Sequence, residues 1–327
     1  MRSFARRSFL ACVVLASGCL DPDAPGNLVP RTVAEDDALP RFTLRDGARI
    51  HLRTQGDPKN PTLITLHGGP GGDMRGMLGL GALSERYFVV HWDQRGTGLS
   101  ERVPSSDFTA ETYAADLHEL VQRFSPDAPV TLFGHSWGAM YAALYIQRHP
   151  DRVGEAVLSE PGFLNASIAN ETELFTFGLT AEGLNDLGWS EWAMSPDGDA
   201  RADFLLSLGQ GWSQPGYYED PDDPDNVKAF RLGARAMRDL QGSAKTDGEW
   251  DFDFSSGLDR FCKPVTLIGT TINTVIGFEQ QERRHAPLFC DVELVRVEGE
   301  DHGWVNKHPD RVMEVLRAHL GAYEGAR

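Results

Sequence analysis

The chain has 327 residues, of which 41% are hydrophobic and 24% charged. That is enough apolar material for a full core, which argues against global disorder, and length alone permits one large domain or two smaller ones. A formal charge of −17 repels phosphates and argues against nucleic acid as a partner.

In chain order, the first segment reads as an address. Arg2, Arg6 and Arg7 precede the apolar run Phe9–Ala16, which is too short to span a bilayer, so residues 1–19 are expected to be a signal peptide. Arg6-Arg7-Ser8-Phe9-Leu10 resembles a twin-arginine signal, and Leu15-Ala16-Ser17-Gly18-Cys19 a bacterial lipobox with Cys19 acylated. An exported lipoprotein of the cell envelope follows, touching membrane only through that anchor. Residues 20–40 are rich in Pro, Asp and Ala without periodicity and are expected to form a flexible tether.

From Arg41 strands and helices alternate. Arg41–Arg45 and Ala48–Thr54 flank the turn signal Asp46-Gly47. Pro61–Leu66, Tyr87–His91, Val130–Phe133, Val153–Ser159, Val265–Ile268 and Val292–Val297 are buried-type strands. Helical spacing runs through Phe108–Phe124, with Thr109 or Asp107 as its cap, Trp137–His149, Phe278 to about His285, and His308–Leu320. The pattern predicts an α/β fold with a mostly parallel sheet flanked by helices. The core is then 41–160 and 258–327. Residues 161–257 break the rhythm, with helical stretches at Glu173–Leu187, Ala202–Leu208 and Asn226–Leu240, and read as an inserted helical lid. Cys262 and Cys290 each precede a strand; a disulfide and two buried thiols are both open readings.

Gly134-His135-Ser136-Trp137-Gly138 falls between a predicted strand and a predicted helix, the setting of a nucleophile elbow. Ser136 needs a base, and His302 lies after the last strand, where such a base belongs. His67, His91 and His135 are placed to shape a pocket, His67 and His135 as substrate-binding residues. A tetrahedral intermediate needs two N–H donors, for which Trp137 and Gly69 of the loop His67-Gly68-Gly69-Pro70-Gly71-Gly72 are the candidates. No spacing suggests a metal, and no cofactor is called for.

That glycine loop, the segment Asp93-Gln94-Arg95-Gly96-Thr97-Gly98-Leu99-Ser100 and the elbow together resemble the proline iminopeptidase branch of the α/β-hydrolases, over about 41–160 and from 258 onward. The resemblance implies an α/β-hydrolase fold and release of an N-terminal residue, often proline, from peptides, with lid carboxylates holding the free amine. Glu171, Glu173, Glu182, Glu191, Asp203, Glu219, Asp220, Asp222, Asp223 and Asp225 are available for that role. The histidine at position 135, usually glycine in that branch, is closer to general esterases and amidases. Three functions follow: an exported aminopeptidase on short peptides, a carboxylesterase or amidase on small hydrophobic acyl groups, or a noncatalytic binding protein with a relic site.

The branch carries its acid after the strand read as Val265–Ile268, but Gly269-Thr270-Thr271-Ile272-Asn273-Thr274 holds no carboxylate. Asn273 stands nearest that place, and an amide cannot balance an imidazolium. Glu160, ending the preceding strand, keeps the order Ser136, acid, His302 and is the expected triad acid. Asp93 and Arg95 are expected to form an internal charge pair.

Overall fold

The computed structural model describes residues 28–172, 197–208 and 230–321. The signal segment, the predicted helix Glu173–Leu187 and most of the acidic lid residues lie outside them. Eight strands form one sheet: β1 (Arg41–Thr43), β2 (Arg49–Gln55), β3 (Thr62–Leu66), β4 (Phe88–Trp92), β5 (Val130–His135), β6 (Val153–Ser159), β7 (Val265–Thr270) and β8 (Glu293–Val297). Their order is β1-β2-β4-β3-β5-β6-β7-β8. The β1–β2 and β2–β4 pairs are antiparallel, and every other neighbour is parallel.

Side-chain alternation explains why the central strands read as unbroken apolar runs. On β3, Ile64 and Leu66 enter one core cluster and Leu63 the other; on β6, Ala156 and Leu158 oppose Val157. The first face packs on α1 (Ala110–Phe124) and α2 (Trp137–Arg148), through Leu117, Leu120 and Tyr141. The second packs on residues Met74–Glu85 and on the C-terminal helix Pro309–His319, through Leu80, Leu83, Val312 and Leu316. Each fully buried side chain of this kind stabilises the fold by roughly 1.5–3 kcal/mol. Thr109 caps α1 by accepting from the Thr112 N–H at 3.1 Å. The 3₁₀ stretch Met74–Glu85 has no counterpart in the sequence reading, because Gly76, Gly79 and Gly81 weaken its helical signal.

Cys262 and Cys290 precede the neighbouring parallel strands β7 and β8, and they form a disulfide. The segment 28–40 departs from the expected tether. Thr32 and Val33 are buried, and Val33 N–H donates to Leu99 O at 2.8 Å. The stretch is a strap on the core, held by the buried Thr32 and Val33, a contact that composition does not reveal.

Between β6 and β7 the described residues include three helices: α3 (Ala166–Glu171), α4 (Gly198–Leu208) and α5 (Ala234–Ser243). The last begins later and runs further than the predicted Asn226–Leu240 stretch. Among the described residues no helix is long and apolar enough to cross a membrane.

Candidate active site

Ser136 sits where β5 turns into α2, with φ 55° and ψ −121°. A non-glycine residue there costs of order 1–3 kcal/mol and persists only where its surroundings enforce it. The enforcement is visible: Ser136 N–H donates to Ser159 O at 2.9 Å, while Ser136 O accepts from Ala139 N–H at 3.0 Å. The two elbow glycines allow the turn. A Cβ on Gly138 would stand 1.9 Å from Leu66 O, and one on Gly134 2.3 Å from Gly138 O. Ser136 is half-buried, whereas His135 and Trp137 on either side are buried.

Glu160 is the first residue beyond β6, and its φ of 45° turns it sharply out of the strand. Its backbone N–H still donates to Ile268 O on β7 at 2.9 Å, which places the carboxylate over the end of β7. Oε1 accepts from the Thr270 N–H at 2.9 Å and from the Thr270 hydroxyl. Oε2 lies 2.7 Å from His302 Nδ1, and the Glu160 side chain is wholly buried. Asn273, the other candidate, is differently engaged. Its Oδ1 accepts the Val275 and Ile276 N–H groups, both at 3.1 Å, and its Nδ2 lies 3.4 Å from His302 Nδ1. The amide oxygen is committed to a turn, so the imidazole faces Glu160. The structure thus brings Glu160 and His302 together and leaves Asn273 as the loop's local cap.

The loop holding His302 has its own brace. Asp301 Oδ1 accepts from Gly303 N–H at 2.7 Å, and Oδ2 pairs with Lys307 Nζ at 3.0 Å, both side chains buried. Glu300 O accepts from Ile272 N–H at 2.9 Å, joining this loop to the one after β7.

His135 and His67 have structural partners that position alone did not reveal. The His135 ring lies 4.6 Å from that of His302, tilted by 34°, and its Nδ1 lies 3.1 Å from Ser159 Oγ. Burial, with the adjacent His302 adding to it, holds the His135 imidazole well below its usual range, so it is neutral. His67 Nδ1 meets Gly68 O at 3.0 Å and Nε2 accepts from Gln94 N–H at 3.1 Å. With both nitrogens hydrogen-bonded and the ring buried, His67 braces its loop. His91 is likewise interior, bonded to Thr65 Oγ1 at 3.0 Å.

Gln94 joins all three motifs. Its Nε2 donates to His67 O, and its Oε1 accepts from the Trp137 indole N–H, both at 2.9 Å. The glycine loop lies directly against the elbow: a Cβ on Gly68 would stand 3.2 Å from Ser136 Cβ. Gly69 follows with φ 129°, joined to Pro70 by a cis peptide bond. Trp137 opens α2, where N–H groups lack intrahelical acceptors. Of the predicted oxyanion donors, Trp137 directly follows Ser136, and Gly69 follows the glycine that lies against it.

The expected Asp93–Arg95 pair does not form, because the two residues turn to opposite sides of their loop. Asp93 pairs with buried His51 at 2.8 Å and accepts from Met74 and Leu99 N–H, each at 2.8 Å. Arg95 grips Asp116 of α1 through Nε at 2.8 Å and Nη2 at 2.6 Å, and also meets Asp46 at 2.7 Å. Two of the lid acids considered for a substrate amine are already taken: Glu171 by Arg284, and Asp203 by Arg102 and Arg231. The other eight lie outside the described residues. Among those described, no cluster of three or more His, Cys, Asp or Glu side chains could hold a metal ion.

Comparison with known proteins agrees with this architecture. The profile of the alpha/beta hydrolase fold family matches residues 61–283. The chain is 39% identical over 103 residues to the probable aminopeptidase YbaC of Bacillus subtilis, a match covering 29% of this chain and 32% of that protein. It is 33% identical over 116 residues to the proline iminopeptidase of Xylella fastidiosa strain Temecula1, covering 35% and 36%. The alignments thus span about a third of each of these two relatives. A longer match, 27% identical over 291 residues, covers 86% of this chain and 98% of the non-heme chloroperoxidase of Streptomyces lividans.

Proposed function

The chain belongs to the α/β-hydrolase family, and on that premise we propose that it is a serine hydrolase of the proline iminopeptidase-like branch working through an acyl-enzyme, an exported aminopeptidase on short peptides. The observation that carries the reading is the 2.7 Å bond between Glu160 Oε2 and His302 Nδ1, beside a strained serine at the head of a helix.

Ser136 Oγ attacks the scissile carbonyl while His302 takes its proton at Nε2. Glu160 holds the Nδ1 proton, fixing the tautomer, and balances the imidazolium as it forms. The N–H groups of Gly69 and Trp137 bind the oxyanion as it forms. Protonated His302 then hands its proton to the leaving amine, and water repeats the sequence on the acyl-enzyme. Export through the N-terminal signal, with Cys19 acylated as the envelope anchor, accords with the Cys262–Cys290 disulfide, since such bonds persist in oxidising compartments.

A second reading is a carboxylesterase or amidase on small hydrophobic acyl groups. It is favoured by the engagement of Glu171 and Asp203 with arginines, which leaves neither to hold a substrate amine. Turnover of proline and other aminoacyl naphthylamides, of their N-blocked forms and of short-chain nitrophenyl esters separates the two. A requirement for the free amine supports the aminopeptidase, and indifference to it supports the esterase. Turnover of none of them by folded protein contradicts both.

A further inference from the structure

The insertion between β6 and β7 rejoins the core through residues 230–234, which lie on the glycine loop. Asp73, at the end of that loop, accepts with Oδ2 from the Phe230 N–H and from the Arg231 N–H at 3.1 Å. Gly233 N–H donates to Gly71 O at 2.8 Å. The approach excludes side chains: a Cβ on Gly71 would stand 2.7 Å from Gly233 O, and one on Gly233 2.4 Å from Gly96 O. Gly233 is wedged between the glycine loop and the Asp93–Ser100 loop.

The Arg231 side chain locks this wedge. It is 4% exposed, and its Nε donates to Asp203 Oδ2 on α4 at 2.7 Å. Its Nη1 donates to Pro30 O of the N-terminal strap at 3.0 Å and lies 3.7 Å from Glu35. Asp203 is held in turn by Arg102 Nε at 3.0 Å and by the Ala234 N–H at 2.9 Å. A planar guanidinium presents donors in a fixed fork, so one side chain sets the strap, α4 and residues 230–234 relative to one another.

We infer that Arg231 is a positioning residue: with Asp203 and the Pro30 carbonyl it clamps residues 230–234 onto the glycine loop and so holds the Gly69 N–H where the oxyanion forms. The inference rests on the reading of Gly69 as an oxyanion donor. Such donors act by being held in place before the charge develops, and a loop of glycines cannot hold itself. Arg231 acts through backbone, and its contacts given above are with neither Ser136, His302 nor Glu160.

The test compares Arg231→Met, Arg231→Lys and Asp73→Asn with the wild-type chain, far below their melting temperatures. Arg231→Met leaves Asp203 paired with Arg102, so no carboxylate is stranded. Steady-state kinetics on the best substrate and amide hydrogen exchange over residues 67–73 are read together. The clamp requires kcat to fall about tenfold or more with KM within about twofold, since the oxyanion exists only beyond the ground state. It also requires faster exchange in the glycine loop, and recovery of part of both in Arg231→Lys. Unchanged kcat and unchanged exchange in folded Arg231→Met overturn it. Should Arg231→Met fail to fold, Asp73→Asn, which weakens the same contact from the loop side, decides by the same two readouts. If the wild-type chain turns over nothing, the reading of the site fails while exchange alone still decides whether the clamp exists.

Discussion

Replacing Glu160 by Gln changes one oxygen into an NH₂ group, and the surroundings dictate which one. The Thr270 backbone N–H can only donate, and it points at Oε1 from 2.9 Å. The amide oxygen must therefore stay at Oε1, and the NH₂ group takes the place of Oε2, 2.7 Å from His302 Nδ1. A donor there forces His302 to present a lone pair at Nδ1 and to carry its proton on Nε2. That tautomer cannot accept the Ser136 proton. In serine proteases the corresponding Asp-to-Asn change costs roughly 10⁴ in kcat, or about 5.4 kcal/mol of transition-state stabilisation. We expect a loss of roughly 10³–10⁴ in kcat for Glu160→Gln, with little change in melting temperature because size and the Thr270 bond are kept. Turnover of Glu160→Gln within about tenfold of wild type would refute the assignment of Glu160 as the orienting acid.

Three further outcomes are expected. The disulfide closes a loop of sequence separation 28, so its removal as Cys262→Ser with Cys290→Ser should lower urea-unfolding stability by about 3.6 kcal/mol. Activity at 25 °C should persist, because the bond lies at the opposite ends of β7 and β8 from Glu160 and His302. Gly138→Ala places a methyl group 1.9 Å from Leu66 O and pushes α2 off β3. It should cost about 3 kcal/mol or more in unfolding stability and abolish labelling of Ser136; wild-type stability and labelling would contradict the close approach. Burial, with Arg53 adding to it, lowers His91 from 6.5 to about 4. The unfolded chain then binds a proton as pH falls below 6.5 while the native one does not, so the group's contribution is complete above that pH and is lost towards pH 4. Between pH 7.5 and 5.0 its loss is about 2 kcal/mol, and His91→Gln should lose that much less stability than wild type over the same interval. An identical pH dependence in the two proteins would count against it.

The parts of this molecule that were legible from sequence are those set by short-range chemistry. The strand runs are apolar throughout because both sheet faces are covered, and the elbow announces itself because only small residues tolerate its geometry. Glu160 could be singled out because the loop after β7 holds no acid and the preceding strand ends in one. What sequence hid depends on residues far apart. Nothing near Arg95 names Asp116 as its partner, and nothing near Arg231 names Asp203, Pro30 or Glu35. The apolar run ends at Ile268 and leaves Thr270 looking like loop, whereas β7 extends to Thr270, so its grip on Glu160 is invisible in sequence. Gln94 stood inside a quoted motif, yet no spacing reveals that its amide ties His67 to Trp137. The strap 28–40 has the composition of a linker, and only the burial of Thr32 and Val33 beside Leu99 makes it part of the fold.

The most direct test of the central claim is covalent capture of the nucleophile. The chain is incubated with a fluorophosphonate, the intact mass is read, and the adduct is mapped by peptide sequencing. One adduct per chain is expected, on Ser136, absent in Ser136→Ala and formed far more slowly in Glu160→Gln and His302→Ala. An adduct on another residue, or none on folded wild-type protein, would contradict it.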